Sequence, residues 1–153
     1  MKTALFIGRF QPFHIGHLWA VQHIMQEFDF VKIGIGSVQK FRTEVNPYTF
    51  AERERMIHSA LRAEGIKNYR VYGIKDIPED NKWAEHVENI TGKFDAVFTG
   101  DDLVKKLMED AGKDVQELPR WQDISATEVR RRIEAGENWQ ELVPIAVRGF
   151  LEE

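Results

Sequence analysis

The sequence predicts a three-layer α/β domain: a parallel sheet with helices on both faces. Three observations point there. Short apolar runs end in glycine, segments of helical period lie between them, and turn residues mark the junctions. Thr3 to Ile7 is the first such run, read as a buried strand closed by Gly8. Gln11 precedes Pro12, which disfavours helical geometry at Gln11 and forces a turn. Beyond it, Leu18, Val21, Ile24, Met25 and Phe28 recur at three- and four-residue steps, the inner face of a first helix. Phe30 to Ser37 is a second strand. Strand, turn, helix and strand in this order make a βαβ unit, hence a parallel sheet with right-handed crossovers.

The remaining elements follow the same alternation. Val38 to Tyr48 is a loop carrying Lys40, Arg42 and Pro47, read as a solvated basic segment with closure over a phosphate as the alternative. Thr49 and Glu52 form a capping box that opens a helix from Phe50 to about Glu64, with Met56, Ile57, Ala60 and Leu61 inward. Arg70 to Ile74 is a third strand. A helix from about Lys82 to Thr91 sets Trp83, Val87 and Ile90 on one face. Ala96 to Gly100 is a fourth strand, Asp102 to Ala111 a helix, and Val115 to Leu118 a candidate fifth strand. Ser125 opens a helix through Ala135, and a short helix follows Pro144. No linker, low-complexity run or repeat divides residues 1–153, so one domain is expected. In such sheets ligands bind at the carboxyl ends of the strands, where strand order reverses.

Composition narrows the function classes. Hydrophobic residues make up 42% and charged residues 30%, an ordinary globular balance. The net charge of -4 supplies no global basic field, so nucleic acid is not an expected partner and local clusters must carry any phosphate recognition. The chain has no cysteine, which excludes disulfides and thiolate metal sites and suits a cytoplasmic home. Arg9 interrupts the apolar start too soon for a signal peptide, and no apolar stretch approaches the ~20 residues of a membrane helix.

Two segments carry chemistry. Gly8 to His17 (GRFQPFHIGH) leads from the first strand into a helix N-terminus, whose unpaired N–H groups and partial positive charge suit phosphate. His14 and His17 share the first helical turn with rings facing the same way, and Gly16 allows a ligand close to the backbone. Two imidazoles there can donate hydrogen bonds to a polyphosphate. No third ligand is spaced to complete a metal site. Ile124 to Arg130 (ISATEVR) is the second helix start: Ser125 and Glu128 read as a capping box, while Thr127 and Arg130 share a face that can hold phosphate. Arg131 and Arg132 point elsewhere, onto a solvated or interface face.

His14-Ile15-Gly16-His17 with the distant Ile124-Ser125-Ala126-Thr127-x-x-Arg130 resembles the H-x-G-H nucleotidyltransferase superfamily, which has a Rossmann-like sheet. The longer string from Gly8 to His14 is similar to the archaeal-type nicotinamide mononucleotide adenylyltransferases. So are Gly36-Ser37-Val38-Gln39, Asn46-Pro47-Tyr48-Thr49 with Glu52-Arg53, Asp76-Ile77, Trp83, Phe94-Asp95 and Ser125 to Arg132. Thr99-Gly100-Asp101-Asp102 departs from the Ser-Gly-Asn-Pro usual there, near the acceptor nucleotide. Class I aminoacyl-tRNA synthetases share the His-Ile-Gly-His string, but their Lys-Met-Ser-Lys-Ser-type loop and tRNA-binding domains are absent. The resemblance implies adenylyl transfer from ATP to nicotinamide mononucleotide, giving NAD and pyrophosphate. The alternatives are another phosphate acceptor, CTP as donor, or a non-catalytic nucleotide-binding module. It implies His14, His17 and Arg130 as catalytic residues and Gly8, Arg9, Phe10, Gly16, Ser125 and Thr127 on ATP. It implies that Trp83 stacks on the nicotinamide ring, with a core place beside Val87 and Ile90 as the alternative, and that Asn46, Arg53 and Asp101 lie near the acceptor. It also implies Mg2+ arriving with ATP and a homo-oligomer.

Overall fold

In the computed structural model, which describes residues 1–119 and 124–152, the apolar runs become four parallel strands. They are β1 (Thr3–Gly8), β2 (Phe30–Ile35), β3 (Tyr69–Gly73) and β4 (Ala96–Thr99), in the order β3-β2-β1-β4. The helices are α1 (Ile15–Ile24), α2 (Phe50–Ala63), α3 (Trp83–Thr91), α4 (Asp102–Asp110), α5 (Ala126–Ala135) and α6 (Ile145–Leu151).

The two-residue period of β1 splits the core into two layers. Ala4 and Phe6 face one side, with Leu18, Val21 and Ile24 of α1, Met56, Ile57 and Leu61 of α2, Val129 of α5 and Val147 of α6. Leu5 and Ile7 face the other, with Ala84 and Val87 of α3 and Met108 of α4. These four β1 side chains are at most 3% exposed. Each fully buried large apolar side chain contributes about 1.5–3 kcal/mol, so the central strand anchors both layers. From β1 the chain steps outward to β2 and β3, then returns to place β4 on the far side of β1. Strand order reverses between β1 and β4, the place where sheets of this kind bind ligands, and the Gly8–His17 segment begins there.

Strand ends shift by one or two residues from what the sequence predicts, and three further features differ. Val115 makes only an isolated parallel bridge to Val97, so the candidate fifth strand does not form. Its neighbours Asp114, Gln116 and Glu117 are polar, and Pro119 cannot donate to a ladder. α3 begins at Trp83, because Lys82 belongs to a 3-10 turn over Asp80–Lys82. The Ser125 capping box is half made. The Ser125 hydroxyl accepts from the Glu128 N–H at 3.1 Å, but the Glu128 carboxylate turns to Arg131 and Arg132 at 2.8 and 2.9 Å. The Thr49–Glu52 box is complete, with 3.1 and 2.8 Å bonds in the two directions. Among the described residues no helix is long and apolar enough to cross a membrane.

Candidate active site

His14 is the N-cap of α1 and His17 its third residue, and they cap each other. The His17 N–H donates to His14 Nδ1 at 3.3 Å, and the His14 N–H donates to His17 Nδ1 at 3.0 Å. A backbone amide can only donate, so each Nδ1 is a lone pair and each neutral ring carries its proton on Nε2. The rings stack with centroids 3.5 Å apart and 19° between planes. Burial pushes the His14 imidazole down to about 4. Burial first, and the neighbouring His14 second, hold His17 well below its ordinary value. The helix N-terminus further disfavours an imidazolium. At neutral pH the motif is therefore a pair of neutral Nε2–H donors.

Gly16 and Phe10 support that pair. A Cβ on Gly16 would lie 3.0 Å from His14 Cε1 and 3.1 Å from its Nδ1, so only glycine leaves the ring its place. Gly16 thus makes room for His14, a role distinct from the expected close approach of ligand. Phe10 is 1% exposed and meets the His17 ring edge-on at 4.7 Å, with Phe13 at 5.4 Å. Its side chain belongs to the core, which corrects its expected place among the ATP contacts: only its backbone is available to a nucleotide.

Arg130 connects the second segment to the first. From α5 its Nη1 donates to the Gln11 carbonyl at 2.7 Å and its Nη2 to the Thr127 hydroxyl at 3.3 Å. The Arg9 side chain is exposed at the same turn, without a side-chain hydrogen bond or ion pair among the described residues, and its charge is felt by both Arg130 and Arg53. Burial is the main cause that lowers the Arg130 guanidinium, with Arg9 adding to it. Three guanidinium groups thus gather around one strand end. Gly8 ends β1 and its carbonyl accepts from the Gly36 N–H at 2.8 Å, tying the turns after β1 and β2 together. Ser125, the N-cap of α5, and Thr127 are exposed beside Arg130.

The other expected residues are distributed differently. Arg53 is fully buried and its five N–H donors all meet backbone carbonyls, so it has none to offer an acceptor nucleotide. Asp101 is exposed and caps α4, accepting from the Leu103 and Val104 amides. Asn46 is buried in the loop before α2, its Oδ1 without a hydrogen-bond partner among the described residues. Trp83 is half-buried at the start of α3, against the smaller core layer. Arg42 pairs with Glu52 at 2.9 Å and Lys40 with Asp76 at 3.5 Å, so the basic loop is held by carboxylates. Arg131 pairs with Glu128 and Glu137.

Sequence pattern assigns no role to two residues that position the turns. Gln11, 1% exposed, exchanges two hydrogen bonds with the Tyr48 backbone and so fastens the first turn to the loop before α2. Ser37 has φ of 51°, and its hydroxyl donates to Asp76. Phe10 has φ of 54°, and a left-handed non-glycine residue costs about 1–2 kcal/mol. A polar residue beside a proline is the one available signal for Gln11. Backbone conformation at Phe10 and Ser37 leaves none.

The donor set for a cation is poor. Among the described residues no group of three His, Asp or Glu is placed to hold a metal ion. Asp76, Glu52 and Asp101 already accept from Ser37, Arg42 and helix amides. A divalent ion would reach this site on a nucleotide's own phosphates, keeping most of its waters.

Comparison with known proteins places the fold and the family. Residues 5–132 match the cytidylyltransferase-like family. A nicotinamide-nucleotide adenylyltransferase from Methanolobus tindarius is 40% identical over 100% of this chain and 89% of its own length. One from Thermococcus sibiricus is 44% identical over 97% and 82%. A bifunctional NMN adenylyltransferase/ADP ribose pyrophosphatase from Francisella tularensis superposes with TM-score 0.80 at 26% identity, over 93% of this chain and 44% of that one. A second structure of that bifunctional enzyme, complexed with AMP and a Mn ion, gives 0.77 at 25%.

Proposed function

The chain belongs to the cytidylyltransferase-like family, and on that premise we propose that it transfers the AMP part of ATP to nicotinamide mononucleotide, forming NAD and pyrophosphate. One observation carries the reading at this chain's own residues: Arg130 reaches across 119 positions to bond the turn that introduces His14 and His17. A guanidinium and two imidazole donors then serve one polyphosphate.

The acceptor phosphate attacks the α-phosphorus of ATP, forming a P–O bond as the bond to the leaving pyrophosphate breaks. A phosphate monoester has a second pKa near ~6 and is mostly dianionic at neutral pH, so it needs no general base. What it needs is alignment and relief of charge repulsion. The Nε2–H groups of His14 and His17 donate to the α- and bridging phosphate oxygens. Arg9, Arg130, Ser125 and Thr127 hold the β- and γ-phosphates and the departing pyrophosphate. Mg2+ would be held by those phosphates and not by the chain's own side chains, and would supply charge screening there. Trp83 stacks on the nicotinamide ring, with Asn46 and Asp101 near the acceptor; in this proposal Arg53 is withdrawn from direct contact. The reaction belongs in the cytoplasm, where its substrates are, and the exposed Ile145 and Phe150 of α6 are apolar surface that supports a homo-oligomer.

The test incubates the protein with ATP, Mg2+ and nicotinamide mononucleotide, and in parallel with pantetheine phosphate, or with glycerol phosphate and CTP. NAD and pyrophosphate in equal amounts are expected from the first mixture alone. Product from another mixture instead would move the assignment to a different acceptor.

A further inference from the structure

We propose that Arg53 is a positioning residue for the transfer: it holds the turns after β1 and β2 in register and through them fixes where Arg9 meets the phosphates. This rests on the adenylyl-transfer reading and deepens it.

Arg53 lies in the first turn of α2 and is wholly buried. Its Nη1 donates to the Arg9 carbonyl at 3.0 Å and to the Gly36 carbonyl at 2.9 Å. Its Nη2 donates to the Ser37 and Lys40 carbonyls at 3.3 and 3.5 Å, and its Nε to the Thr49 carbonyl at 3.2 Å. One guanidinium thereby joins three segments that are far apart in sequence. No carboxylate pairs with it among the described residues, so the group is held by carbonyl dipoles alone.

The two Nη1 contacts have a common character. The Arg9 carbonyl belongs to the peptide before Phe10, and the Gly36 carbonyl to the peptide before Ser37. Phe10 and Ser37 are both left-handed non-glycine residues, with φ of 54° and 51°. Each disfavoured turn is therefore gripped at its entry peptide by the same nitrogen. The Gly36 N–H to Gly8 carbonyl bond ties the same two turns again. With its carbonyl fixed from inside, Arg9 projects outward, exposed and unpaired among the described residues. Burial, and secondly the charge of Arg9, bring the Arg53 guanidinium down to about 10, so it remains a cation at neutral pH beneath these turns. A lysine carries the charge but only three donors on one point, and cannot span these peptides.

The test measures kcat/KM for ATP in the unaltered chain, Arg53→Lys, Arg9→Ala and the double variant, at a temperature where circular dichroism shows each folded. Arg53→Lys should lower kcat/KM by up to about 100-fold. Arg9→Ala should then cost several-fold less than in the unaltered chain, because a misplaced Arg9 has less to lose. Independent, multiplying losses would overturn the proposal, as would a lowered Tm with kcat/KM unchanged. Should Arg53→Lys fail to fold, guanidinium 15N spectra of the unaltered protein with ATP decide. Coupling to 31P at Arg9 but not at Arg53 is expected, and coupling at Arg53 would make it a direct ligand and overturn the clamp. If the unaltered chain makes no NAD, the transfer reading fails, while the spectra still report on Arg53.

Discussion

A histidine whose Nδ1 accepts a backbone amide has one proton to give, and it sits on Nε2. His14 and His17 are both in that state, each fixed by the other's backbone. Neutral donors of this kind stabilise charge that grows on phosphate oxygens as the α-phosphorus becomes pentavalent. His17→Ala is accordingly expected to lower kcat by about 100- to 1,000-fold while the ATP dissociation constant, read by calorimetry, changes only a few-fold. Equal losses in both would assign His17 to ground-state binding. The pH behaviour follows from the burial of the same rings. A histidine near 6.5 when unfolded and about 4 when folded leaves the unfolded state holding more protons between those values. Stability contributed by His14 is thus fully present above about 6.5 and is lost as pH falls toward 4. Denaturation between pH 4 and 6.5 should show this slope in the unaltered chain, and His14→Asn should reduce it by up to about 1.4 kcal/mol per pH unit. An unchanged slope would mean that His14 is not held neutral.

The elements contribute ends more than faces. α1, α2 and α5 each begin with a side-chain cap, His14, Thr49 and Ser125, and two of these starts carry the side chains proposed to bind phosphate. Gly16→Ala puts a methyl 3.0 Å from His14 Cε1, so the stacked pair must shift. The expected outcome is a folded protein, by circular dichroism, with turnover down at least about 10-fold, since geometry at the reacting atoms is costly to disturb. Full activity would show that the stacking is dispensable. Thr49→Ala removes one bond of a complete box and should cost about 1 kcal/mol in urea denaturation, loosening the helix that carries Arg53. The strands and helix starts are legible in the sequence because glycine, proline and Ser/Thr–x–x–Glu patterns have local causes. The fate of Glu128 is not, since the same residue is spaced both for the Ser125 cap and for Arg131 and Arg132 three and four positions on, and the local pattern does not choose between them.

For the whole molecule, the strand order is β3-β2-β1-β4, and residues 8–17 and 125–130 meet through the Arg130–Gln11 bond. Local sequence can suggest each segment as a phosphate site, but their meeting depends on which way the chain crosses after β3. Arg53 misleads for a related reason. The resemblance implies a contact with the acceptor, and only tertiary structure supplies the five carbonyls that receive its donors instead. Arg130→Ala should lower kcat/KM for ATP by at least about 100-fold and leave the fold intact, because it removes a charge-assisted phosphate contact and the tie to Gln11 together. Which bond of ATP breaks is the most direct test of the chemistry. With α-32P-labelled ATP and nicotinamide mononucleotide, label is expected in NAD, and with γ-32P-labelled ATP it is expected in pyrophosphate. Label from the γ position on the acceptor, or α-label released only as AMP, would contradict adenylyl transfer.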